Sequence, residues 1–271
     1  QLGAAVVSGL QGGSVAAAVK HFPGHGDTAD DSHTGLPRVR RDHATALAVD
    51  VAPFADVIRE ASPAMVMTAH IQYPSLDPET LPDTDFTCPA TLSRPILTGL
   101  LRDTLGFSGV IITDALDMRA ISDRLSAEAA VEACFRAGAD IALMPVLVRD
   151  AASLQCLQAL VPHLVDAVRD GRLDEAEIRA SAARIQALQA RYALAGPVGE
   201  HCVGCAAHRA LEQRIAAGSI TRLHGEPWTL APDDQVYLLM PDRGSAAAMS
   251  FKGEAEGSAR RRRKAKALTA I

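Results

Sequence analysis

Four short β-prone runs, each followed by a longer stretch of helical period, constrain this chain more than any other feature. They are SVAAAVKHF, AMVMTAHI, VIITDALDM and DIALMP. AMVMTAHI is nearly continuous in apolar residues, as a strand covered on both faces must be, and such strands belong to parallel sheets. The helical segments are RRDHATALAVDVAPFADVIREA, interrupted at Pro53, then TLSRPILTGLLRDTLGFSG, with Ser93 as N-cap and Gly106 as stop. SAEAAVEACFRAGA, a stretch over 150–170 and DEAEIRASAARIQALQARYAL follow. This alternation predicts an α/β fold built on a parallel sheet.

Polar residues stand at or near the ends of successive strands: Lys20, His21, His70 and Asp114. Functional groups gathered at the C-terminal strand ends are what a β/α barrel provides. A doubly wound sheet also fits the alternation, but no GxGxxG fingerprint is present. Four strand–helix units are half of the eight that close a barrel. The expectation is therefore the C-terminal half of a (β/α)8-type barrel followed by a truncated α/β segment. Residues 1–195 form the partial barrel. Residues 196–250 hold a linker, a helix near 206–217 and a strand-like DDQVYLLMPDR, and 251–271 form a basic, disordered tail.

Composition narrows the function classes. The 271 residues are 48% hydrophobic, enough for one large core or two smaller ones. A net charge of −5 argues against a nucleic-acid or membrane-surface binder. The basic run Arg260–Lys264 reads as part of a solvated tail. No apolar run reaches the roughly 18–20 residues of a membrane span. The chain begins at Gln1, inside a segment of helical character, so an N-terminal portion is expected to be missing, and no compartment follows from this end. Of the five cysteines, Cys88, Cys134 and Cys156 lie in apolar helical surroundings and are expected as free buried thiols, whereas Cys202 and Cys205 are expected as a loop pair. HCVGCAAH, from His201 to His208, lacks the second ligand pair that a zinc knuckle needs.

The chemistry concentrates in KHFPGHGDTADDSHTGLP, Lys20 to Pro37. A metal site could draw on His21, His25, His33, Asp27, Asp30 and Asp31, but the spacing matches no ligand pair on a helix. Gly24 and Gly26 imply a sharp turn that separates the two ends of the segment. An acid/base site is the second reading. Asp31 lies two residues from His33, so its carboxylate can accept from the imidazole and raise its basicity. Taken alone, that pair is read first as a hydrogen-bonded loop turn. Asp114, after the buried VII and Thr113, is either a satisfied structural carboxylate or a nucleophile.

KHFPGHGDT…DSH followed by GVIITDALDM resembles family 3 glycoside hydrolases, specifically their β-N-acetylglucosaminidase branch. VMTAHIQYPSLD, LLRDTLGFSGVIITDALDM, AGADIALMP and SAARIQALQARY extend the resemblance over roughly residues 1–195. It implies a β/α barrel with Asp114 as catalytic nucleophile and His33 as general acid/base, oriented by Asp31. Lys20 and His21 become contacts to the sugar. The implied reaction is retaining hydrolysis of terminal β-linked N-acetylglucosamine from peptidoglycan- or chitin-type saccharides, with no cofactor and no metal. The partner is a carbohydrate, not a nucleic acid, and no oligomeric state follows. DDSH selects the aminosugar branch, since the β-glucosidase branch lacks this loop. Members of the family carry four earlier strand–helix units, with an aspartate and arginines that help hold the sugar. Their absence favours one alternative, an inactive sugar-binding remnant; a second is a same-family enzyme acting on another β-sugar or using phosphate as acceptor.

Overall fold

The computed structural model describes residues 1–28, 36–81, 86–192, 203–221 and 231. The chain divides into two units, 1–197 and 198–271. In the second unit the described helix is α8, Ala206–Ser219. DDQVYLLMPDR and the basic tail lie outside the described residues.

The first unit is α/β. Its sheet has three parallel strands in sequence order, β1 (Ala18–Phe22), β2 (Met65–Thr68) and β3 (Val110–Ile112). Neighbouring strands in space are thus neighbours in the chain, each pair joined by a helical crossover. Helix α1 (Leu2–Gly12) precedes β1 and packs against the helix between β1 and β2. That second helix, α2, runs over 43–61: α-helical at His43–Thr45, π-helical at Ala46–Val51, α-helical again at Ala52–Ala61. Between β2 and β3 lies α3 (Pro95–Thr104), also wound as a π-helix. After β3 come α4 (Arg119–Ser122), α5 (Ala127–Ala137), α6 (Ala151–Arg169) and α7 (Glu175–Tyr192). Among the described residues, no helix is long and apolar enough to cross a membrane.

Local signals account for several boundaries. Ser93 accepts from the Ile96 amide at 3.2 Å, and Gly106 takes φ +67° just past the end of α3. Ser126 caps α5 through the Ala129 amide, and Gly138 ends it at φ +106°. The core lies between sheet and helices, where Phe22, Val66 and Ile111 meet Ile96, Leu97 and Leu101. The Phe22 ring packs edge-on against Phe54 at 5.2 Å.

Three expectations need correction. Pro53 does not interrupt α2, because it occupies the start of the last α-helical segment, directly after the π-wound turns. Widened turns already lack the i→i−4 bond that a proline would break. DIALMP is not a fourth strand but one parallel bridge, Ile112 to Ile141. Asp140 is turned into an ion cluster just before the bridge, and Met144 adopts φ +46° just after it. Of the three cysteines expected to be buried only Cys134 is, whereas Cys156 is exposed and Cys88 is intermediate. Burial pushes the Cys134 thiol far up and the Cys88 thiol to about 12, so neither is a reactive thiolate.

Candidate functional site

The parallel arrangement brings the C-terminal ends of the three strands together. His21 stands one residue before the end of β1, His70 two residues beyond β2, and Asp114 two residues beyond β3. The root of the histidine-rich loop is fixed against α2. Gly24, at φ +139°, lies so close to Asp50 that a Cβ would come within 2.7 Å of the Asp50 Cβ. No other residue type fits there without displacing α2. Asp50 is itself held, accepting from Tyr73 Oη at 2.6 Å and from Arg41 Nη1 at 3.1 Å. Arg41 reaches on to Asp27 at 3.2 Å, tying the loop root to the same helix.

Asp114 is the half-buried carboxylate of the site. Its Oδ1 accepts from the Ala115 amide at 2.8 Å, and its Oδ2 faces His21 Nε2 at 3.6 Å. The second contact is electrostatic and too long for a hydrogen bond. One carboxylate oxygen is therefore fixed and the other remains available. The side chain keeps 21% of its exposure, so an approaching molecule can reach it. Burial lowers the His21 pKa below the ordinary histidine value, Asp114 opposes this, and Lys20 and His25 reinforce it. His21 is thus held towards the neutral ring, able to offer an N–H without carrying charge. The His25 ring stands 6.0 Å from that of His21, with its Nδ1 2.7 Å from Thr28 Oγ1. Lys20 is exposed on β1.

The structure thus brings His21 and Asp114 into contact, with Lys20 next to His21 in the chain. Asp31 and His33 lie outside the described residues. The interior partner that sequence reasoning missed is Thr91, in the 3-10 turn Ala90–Leu92. It joins His70 at 2.8 Å and Thr68 at 2.9 Å. His70 carries a signal, a polar residue at the end of an apolar run, whereas Thr91 carries none. Among the described residues, no group of three or more His, Cys, Asp or Glu could hold a metal ion. A cavity of about 300 Å³ lies instead where β2 and β3 begin, lined by Ser62, Ala64, Phe107, Gly109, Leu188 and Tyr192.

Comparison with known proteins assigns most of the first unit to a family. Residues 1–188 match the model of the glycosyl hydrolase family 3 N-terminal domain. The chain is 39% identical over 257 residues to β-hexosaminidase A of Pseudoalteromonas piscicida, covering 92% of this chain and 43% of that protein. It superposes on a family 3 β-N-acetylglucosaminidase from Paenibacillus sp. FPU-7 with TM-score 0.73 and 38% identity, covering 85% of this chain and 42% of that one. The β-N-acetylglucosaminidase of Thermotoga maritima gives TM-score 0.58 at 31% identity, over 69% of this chain and 37% of its own. The chain spans about two fifths of the length of these relatives. With its first 188 residues matching that model and its nearly full-length similarity to a β-hexosaminidase, the chain belongs to glycosyl hydrolase family 3.

Proposed function

We propose that this chain carries the nucleophile and acid/base half of a retaining glycoside hydrolase that removes terminal β-linked N-acetylglucosamine. The observation that carries the reading is Asp114: a reachable strand-end carboxylate with one oxygen fixed by the Ala115 amide and the other facing a ring held towards neutrality. A retaining enzyme needs such a group on one face of the anomeric carbon and a proton donor on the other. In this reading Asp114 Oδ2 attacks the anomeric carbon, and the bond to the leaving oxygen breaks as His33 protonates it. Asp31 orients the His33 ring, and His33 then takes a proton from the water that releases the sugar. Lys20 and His21 bind sugar hydroxyls beside the nucleophile. The sequence-ordered parallel strands support the finer fold reading, half of a β/α barrel over 1–195. The aminosugar specificity rests on the DDSH loop and the names of the relatives, and peptidoglycan- or chitin-type saccharides are the proposed source.

The test is covalent. A fluorinated N-acetylglucosaminyl donor with an activated leaving group traps the glycosyl–enzyme ester, and peptide mass spectrometry locates it. The label is expected on Asp114, together with hydrolysis of the nitrophenyl N-acetylglucosaminide in preference to the glucoside. A label on Asp117, or a preference for the glucoside, would overturn the assignment.

A further inference from the structure

His70 is 1% exposed, and both of its ring nitrogens are engaged. Nε2 lies 2.9 Å from the Ala115 carbonyl oxygen, and Nδ1 lies 2.8 Å from Thr91 Oγ1. A carbonyl only accepts, so Nε2 carries the proton. A buried ring without an anion in direct contact stays neutral, which leaves Nδ1 as the acceptor and Thr91 as the donor. The Thr91 hydroxyl also donates to the Ala69 carbonyl at 2.9 Å, so its proton is shared between that oxygen and Nδ1. Thr68 Oγ1, 2.9 Å from Thr91, then donates to Thr91. A directed chain results, from Thr68 through Thr91 and His70 to the Ala115 carbonyl. On its other side, the Ala115 amide donates to Asp114 Oδ1 at 2.8 Å. Residue 115 is therefore gripped at both ends, by His70 at its carbonyl and by Asp114 at its amide.

We propose that His70 is the positioning residue of the nucleophile. By holding the Ala115 carbonyl it fixes the backbone on which Asp114 Oδ1 is anchored, and so sets the direction of Oδ2. This rests on the reading of Asp114 as the nucleophile. His70 touches no substrate in this role. Thr91 fixes which nitrogen of the ring carries the proton, and without Thr91 the ring is free to turn its acceptor towards the carbonyl. A nucleophile displaced by about 1 Å costs on the order of 100-fold in rate while binding survives.

The experiment uses the full-length protein and the rate at which the fluorinated donor labels the nucleophile. His70→Phe keeps the ring volume but offers no N–H. It is expected to slow labelling of Asp114 on the order of 100-fold, with the affinity for N-acetylglucosamine unchanged. His70→Gln, which can still donate to the carbonyl, should recover a substantial part of that rate. Thr91→Val should give an intermediate loss. Labelling of Asp114 by His70→Phe at the undiminished rate overturns the positioning role and leaves the nucleophile in place, whereas a label on another residue overturns the nucleophile itself. Loss of sugar binding in step with the labelling rate, or no recovery with Gln, also overturns it. Should His70→Phe not fold, the unsubstituted protein decides through the nitrogen chemical shifts of its imidazoles. A His70 ring protonated at Nε2 and neutral at pH 7 upholds the proposal, and a proton at Nδ1 alone overturns it.

Discussion

Two carboxylates packed along and beyond β3 show how differently one chain can coordinate the same group. Asp140 has a side chain with 0% exposure and a full set of donors. Arg102 Nη2 reaches it at 2.5 Å, the Ile111 amide at 2.7 Å, and Arg184 at 2.8 and 3.0 Å through two nitrogens. Arg102 also donates to the Phe107 and Gly109 carbonyls, so the cluster stitches the start of β3 to α3 and α7. Asp114, beyond the end of the strand, has one amide donor and one distant imidazole. A saturated carboxylate has no lone pair to spare and serves the fold. An under-coordinated one keeps an open oxygen and access, which a nucleophile needs.

The largest expected contrast comes from the same substitution at both sites. Asp114→Asn should abolish turnover by several orders of magnitude in the full-length enzyme while leaving the unfolding midpoint unchanged, since an amide oxygen still accepts from Ala115. Asp140→Asn should do the reverse. A neutral amide leaves two partly buried guanidinium groups without their anion, at a cost of about 3–5 kcal/mol in urea unfolding. Turnover per folded molecule should then persist. Similar stability losses for both variants would break the comparison.

Acid should separate the two carboxylates next. Both His21 and His70 are pushed below the ordinary histidine value of 6.5, chiefly by burial. The bond to the Ala115 carbonyl, then Asp114 and Asp117, pull His70 upward and His25 pushes it down, without reversing the direction. The unfolded chain therefore takes up protons first as pH falls through 6.5. The stability these rings contribute is complete above that value and is lost on descent through their folded pKa values. Hydrogen exchange between pH 7 and pH 5, corrected for the intrinsic rate, reads this locally. Protection should fall at the Ala115 amide, which donates to Asp114, and hold at the Ile111 amide, which donates to Asp140. Equal loss at both would mean that acid unfolds the whole unit and that the two carboxylate sites are not distinct.

The smallest expected effect serves as the reference for both. Ser126→Ala removes the cap of α5, which bonds neither carboxylate, and should cost about 1 kcal/mol with no change in turnover or in the acid response of Ala115. A kinetic effect from this substitution would show that general loosening, not the local coordination of Asp114, governs the site.

The sequence by itself determined what short-range physics controls. The three strands, the cap at Ser93 and the stop at Gly106 depend on a few neighbouring residues, and they are legible there. So are the strand-end places of Lys20, His21, His70 and Asp114, since an apolar run that meets a polar residue announces its own end. What only the tertiary structure decided is which of these groups is saturated. Asp140 and Asp114 each follow or precede an apolar stretch and look alike in the chain. Their difference is made by Arg102 and Arg184, 38 and 44 residues from Asp140, and by His70, 45 residues from the carbonyl it holds. The π-wound turns that carry Pro53 within α2, and the reduction of DIALMP to a single bridge, are settled the same way. Hydrogen-bond satisfaction is a property of folded proximity, and no local pattern encodes a donor that arrives from a distant part of the chain.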